Sequence, residues 1–185
     1  TLVKIYTSVS EMQKEATDLA TLRNAQLSLI NEMIRAHGSL MLDAMDSIID
    51  KEEGSIEPDR IKSINENVAF LSDHLNDFVE FGDTQEEKKS VQLIKKTFPK
   101  LANGIQVDLK NLIEKSSVET NQILEAFIKI DDNLDEYGGR VKTNLIDIQT
   151  SVQKKVTEAR EASQNTLSKS KLVGWITSLI VLVTL

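Results

Sequence analysis

Two histidines, two arginines, a tyrosine and a glycine pair carry most of the polar chemistry this chain could gather in one place: Arg35, His37, His74 and the run Tyr137, Gly138, Gly139, Arg140. An arginine fork clamps a carboxylate through paired hydrogen bonds. Tyrosine and histidine add further hydrogen bonds, and adjacent glycines give room for close backbone approach. Arg35, His37, Tyr137 and Arg140 are therefore the candidate ligand-binding residues, suited to a small acidic molecule. The plain alternative is that the arginines point to solvent, the histidines are ordinary half-buried residues and the glycines only bend a helix. Two histidines also invite a bis-histidine haem or a metal. Haem needs both imidazoles facing inward across an opened core, and zinc needs further ligands, so neither a cofactor nor a metal is expected. A second cluster is acidic. Asp43, Asp46 and Asp50 follow i, i+3, i+7 on one helix face, and Asp131, Asp132 and Asp135 lie at a comparable height on another helix. They suit a cation or an amine, or are simply a solvated charged face.

Composition narrows the function classes. With 22 basic and 29 acidic residues the chain is acidic and has no basic patch, which sets nucleic-acid partners aside. It has no cysteine, excluding disulfides, thiolate metal sites and covalently attached haem. No Gly-x-Ser-x-Gly turn, phosphate loop or paired-histidine metal motif is present, and an enzyme is not expected.

The elements that must position these residues are helices. Two prolines, seven glycines and few β-branched runs argue for helix almost throughout. Leu19, Leu22, Leu29, Met33, Leu40, Ala44 and Ile48 recur at three- and four-residue spacing in a first helix over about 2–51. Leu2, Val3, Ile5 and Tyr6 at its start suit either the outer end of an earlier membrane helix or an ordinary helix beginning. Gly54 and Pro58 end that helix and open a second over 58–81. Gly82-Asp83-Thr84 breaks it, and Thr84 with Glu87 reads as a capping box for a third helix. Pro99 should kink that third helix. The fourth helix carries Phe127, Ile130, Leu134, Val141, Leu145, Ile148, Val152 and Val156.

Two places could turn the chain into the fourth helix: Ser116-Ser117, or the more glycine-rich Tyr137-Gly138-Gly139. At about 1.5 Å per residue the first helix climbs about 70–75 Å, and a fourth helix from Glu119 to Leu172 matches it. One starting after Gly139 would fall about 25 Å short. The turn is expected near Ser117, with residue n of the first helix opposite about 173−n of the fourth. Arg35 and His37 then share a layer with Tyr137, Gly138, Gly139 and Arg140, and His74 reaches a similar height. The fold expected is all-α: an antiparallel up-down-up-down four-helix bundle with long first and last helices and a shorter central hairpin. Because the hairpin is about half as long, the lower parts of the outer helices form a two-helix stem. Such a stem buries its apolar stripe poorly alone, which implies a homodimer.

The last helix enters an apolar stretch. No charge follows Lys171, and Leu, Ile and Val dominate 172–185. Lys169, Lys171 and Trp175 are the residues expected at a membrane interface. A bilayer core needs roughly 20 apolar residues, so this stretch is expected to be the beginning of a transmembrane helix, with 1–171 as the sensor domain.

A long helix rising from a membrane, a shorter hairpin and a long helix returning to a second span resembles the four-helix-bundle extracytoplasmic sensor domain of bacterial methyl-accepting chemotaxis proteins. The stretches 127–139 and 151–162 are similar to the last helix and juxtamembrane segment of such receptors. The resemblance implies a homodimer in the bacterial inner (cytoplasmic) membrane with the bundle periplasmic or extracellular. It implies a small-molecule chemoeffector, bound in many such receptors between first and last helices, which favours Arg35 and Arg140 over His74. It also implies control of a cytoplasmic histidine kinase complex through regions beyond this chain. A sensor histidine kinase can carry a similar bundle. A tail-anchored helical tether or assembly protein is the competing class.

Overall fold

The computed structural model describes the backbone of residues 2–115 and 120–184, and their side chains apart from 2–6, 9, 79–81, 170, 173 and 176–184. Among the described residues the regular structure is entirely helical. There are five α segments: α1 (Leu2–Ile49), α2 (Pro58–Phe81), α3 (Gln85–Asn103), α4 (Lys110–Lys115) and α5 (Asn121–Thr184). A π-wound stretch, Gly104–Leu109, joins α3 to α4, so that 85–115 form one helical run.

Local chemistry sets the boundaries. A short 3-10 turn, Lys51–Glu53, follows α1 and closes on Gly54, whose φ of 71° is left-handed. Pro58 opens α2 at a position where a missing N–H costs nothing. The Thr84 hydroxyl accepts from the Glu87 N–H at 3.1 Å, and the Glu87 carboxylate accepts from Thr84 N–H at 3.2 Å and Asp83 N–H at 2.9 Å. The reciprocal box fixes the start of α3. Pro99 lies inside α3, and the change of winding comes after it, from Gly104. The expected turn at Ser116-Ser117 lies outside the described residues, but Tyr137, Gly138 and Gly139 are helical within α5.

The chain divides into two compact units, one of Thr1–Ser28 with Thr150–Leu185, the other Leu29–Gln149. In the second, Met33 and Leu40 of α1, Leu71 of α2, Ile94 and Leu101 of α3, Ile105 and Leu109 of the π stretch, and Val141, Leu145 and Ile148 of α5 are buried to within 2%. Polar pairs tie the helices at matching heights. Ser63 Oγ donates to Asp43 Oδ2 at 2.6 Å, Arg60 meets Asp50 at 2.9 Å, and Gln106 donates to Asn65 at 2.8 Å. On α5, Gln149 Nε2 donates to Asn31 at 2.6 Å, Gly138 sits against Met41, and the Phe127 ring lies 5.7 Å from Lys51 Nζ. These pairs shift the expected register: 149 instead of 142 opposite Asn31, 138 instead of 132 opposite Met41, and 127 instead of 122 opposite Lys51. The shift arises because α5 begins more than a turn above Lys51, so the two helices do not end on one plane.

In the first unit, Arg160 Nη2 donates to Asn24 Oδ1 at 3.0 Å, and Val152, Val156 and Ala159 are buried. Leu172 and Trp175 are exposed. Among the described residues no helix is long and apolar enough to cross a membrane. The side chains of 2–6, and of 176–185 at the end of the apolar stretch, lie outside the described residues.

Candidate functional site

His37 is the most buried titratable group of the four candidate ligand residues, at 3% exposure. It sits on α1 among Met33, Ala36 and Leu40, which face the core. Its imidazole is hydrogen-bonded to the Gly138 backbone, and its Nε2 is buried without a partner. Leaving such an atom unpaired costs about 1–3 kcal/mol. Burial pushes the imidazole below its ordinary value of 6.5; the Gly138 hydrogen bond opposes this and the Lys142 charge adds to it. His37 is therefore neutral at pH 7.

Gly138 makes this layer possible. A Cβ there would lie 2.6 Å from Met41 Sδ and 2.7 Å from its Cε, closer than any real contact, so the absent side chain lets Met41 cross the face of α5. Beside the pair opens a cavity of about 390 Å³, within the range of small-molecule pockets. Ile34, Met41, Leu42 and Met45 give it an apolar wall on α1. On α5 its wall is Asp135, Gly138, Gly139 and Lys142, spaced i, i+3, i+4, i+7 along one face. That face carries one carboxylate and one ammonium about two turns apart. An apolar or mixed ligand fits the wall better than a bare carboxylate.

The other three candidates lie elsewhere. Arg35 lines a different opening of about 360 Å³, with Glu32, Ser39, Asn67 and Phe70. Tyr137 faces α3, with Lys100 Nζ 5.6 Å from its ring centroid. Arg140 pairs with Glu136 at 2.7 Å, both side chains half exposed or more, an i,i+4 pair worth about 0.3–0.5 kcal/mol. Equal height is not equal direction. Steps of two residues turn about 200° around a helix, which sends Arg35 away from His37 and Arg140 away from Gly138. His74 is held within α2, with Nδ1 2.8 Å from Asp77 Oδ2 and its ring edge-on to Phe70 at 4.5 Å.

Of the acidic cluster, Asp43 and Asp50 already accept from Ser63 and Arg60. Among the described residues no three His, Cys, Asp or Glu side chains gather as metal ligands would. Sequence reasoning missed Met41 and Lys142, and grouped Asp135 with the acidic cluster instead of with the glycine pair, whose cavity it lines.

No protein-family model, curated protein or solved structure matches this chain.

Proposed function

We propose that this chain is the extracytoplasmic ligand-sensing domain of a transmembrane receptor of the chemotaxis type, a homodimer of antiparallel up-down-up-down four-helix bundles. The opposing pairs in Leu29–Gln149 support the bundle: as α1 advances from Asn31 to Lys51, its partners on α5 retreat from Gln149 to Phe127. Leu42, Met45 and Ile49 support the dimer. They follow i, i+3, i+7 on α1 and are 60%, 49% and 70% exposed, an apolar stripe suited to a second copy. In this reading 172–185 begin a membrane helix in the bacterial cytoplasmic membrane, with Lys169, Lys171 and Trp175 at the interface. The kinase it would control is reached through regions outside this chain.

One observation carries the reading. α5 is a single helix from Asn121 to Thr184, so the cavity wall at Gly138 and Gly139 and the residue Trp175 belong to one helix. A ligand that favours one placement of α5 over another would have its effect carried along that helix, as small helix shifts are in other switches.

The test uses the lack of native cysteine. A thermal-shift screen against amino acids, organic acids, amines and divalent cations identifies compounds that stabilise the domain. A single cysteine at Gln153, exposed on α5, then reports cross-linking between copies in membranes. The rate should change with a stabilising compound. An unchanged rate at saturation overturns receptor signalling and leaves a static tether.

A further inference from the structure

The helical run 85–115 changes winding opposite Tyr137. Pro99 brings no N–H to its turn, and from Gly104 to Leu109 each backbone hydrogen bond spans five residues instead of four. The side chains record the change. On an α-helix, residues five apart point about 140° away from each other. Here Asn103 Nδ2 donates to Asp108 Oδ2 at 3.2 Å. The π winding has brought Asp108 round to the face of Asn103. Gly104 lets this face come close to α5, since a Cβ there would stand 3.0 Å from Leu134 Cδ2.

Between the π stretch and α5 lies a cavity of about 400 Å³. Pro99, Ile130 and Leu134 give it an apolar floor. Lys100 stands on its rim near Tyr137, and no carboxylate partners it among the described residues. Asp108 stands on the rim eight residues further along, and among the described residues its side chain is paired with the neutral amide of Asn103 alone. Asn133 lines the same cavity. The rim therefore offers one cation and one anion, neither neutralised by the other. Eight residues separate the two backbones by at most roughly 12 Å, and lysine's four-carbon arm covers part of that.

We propose that this cavity binds an elongated zwitterion of about five carbons. Its carboxylate meets Lys100 and the Tyr137 hydroxyl, its ammonium meets Asp108, and its aliphatic body lies over Ile130 and Leu134. The π winding is what sets the anionic end of the site. This site is separate from the one beside His37 and does not depend on membrane coupling.

The experiment titrates 5-aminopentanoate, pentanoate and pentylamine into the 185-residue chain, read by calorimetry and thermal shift. The zwitterion should bind at least tenfold tighter than either singly charged analogue. Lys100→Met should reduce it to the affinity of pentylamine, and Asp108→Asn to that of pentanoate. Both positions are solvent-exposed, and unchanged circular dichroism confirms the fold of each variant. Arg35→Ala, on a different opening, should leave the affinity unaltered. Absence of binding, equal affinity for the three probes, or a zwitterion preference that survives both charge substitutions would overturn the site.

Discussion

The unit Leu29–Gln149 and the unit formed by Thr1–Ser28 with Thr150–Leu185 draw on the same two long helices and solve burial differently. The first closes large side chains completely, with Ile30, Met33, Leu40, Leu101, Ile105 and Leu109 all at 0% exposure. In the second, the residues buried among those described are Gln26, Val152, Val156 and Ala159. Meanwhile Met12, Leu19, Leu22 and Leu167 stay 41–55% exposed. An apolar stripe on a helix stabilises only against a surface that covers it. Four helical runs bury each other's side chains in Leu29–Gln149; in the other unit α1 and α5 leave Met12, Leu19, Leu22 and Leu167 open. The cavities beside His37, Arg35 and Tyr137 lie in Leu29–Gln149, and the unit of Thr1–Ser28 with Thr150–Leu185 needs a further surface, which we propose is another copy of the chain.

The largest effect that sharpens this contrast is a core truncation. Leu101→Ala should cost about 2–5 kcal/mol in urea unfolding, enough to destabilise the whole of Leu29–Gln149. A cleaner comparison keeps chemistry and helix fixed. Val141 and Val156 are both 1% exposed on α5, one in each unit. Val141→Ala should cost about 2 kcal/mol, near the full value for two buried methyl groups, and Val156→Ala less to the extent that its unit opens before the other. Equal losses at low protein concentration would break the comparison.

Gly138→Ala should change stability by no more than about 1 kcal/mol, because the crowding atoms are the flexible end of Met41 and alanine gains helix propensity. With Met41→Ala in the same chain the alanine should be net stabilising, and a loss that persists would show that the glycine serves something other than this crossing. The pH dependence is of similar size. His37 is neutral when buried, with its folded value below 6.5, so the unfolded chain binds more protons between the two values. Stability is then full above about pH 6.5 and falls as pH drops through it, by at most about 1.4 kcal/mol per pH unit. His37→Gln should flatten the unfolding free energy between pH 7.5 and 5.5. Asp135 and Lys142 share that cavity wall, and Lys142→Met should weaken the dependence without removing it.

Where a boundary rests on local chemistry, the sequence carries it. Pro58 and Gly82 bound α2 at 58–81, and Thr84 with Glu87 announces α3, because each acts on its own turn. Height was legible only to within about two turns: the partners of Asn31, Met41 and Lys51 are displaced by seven, six and five residues, and His37 meets Gly138 two residues from the expected pairing. Direction was not. Arg35 and Tyr137 lie within two residues of that pair and face other helices, because the roll of each helix follows from packing across the core. The π stretch was hidden for the same reason. The extra residue in that turn falls where Gly104 meets Leu134, 30 positions away, and no local pattern distinguishes Asn103 and Asp108 from two surface residues.

Hydrogen exchange at two protein concentrations tests the central claim most directly. Amides in 13–28 and 150–166 should gain protection as concentration rises through the dimerisation range, while those in 33–48 and 134–148 stay at one high level throughout. Protection in 13–28 and 150–166 that is already maximal in the dilute monomer would contradict the account, because two helices alone would then have covered their own stripe.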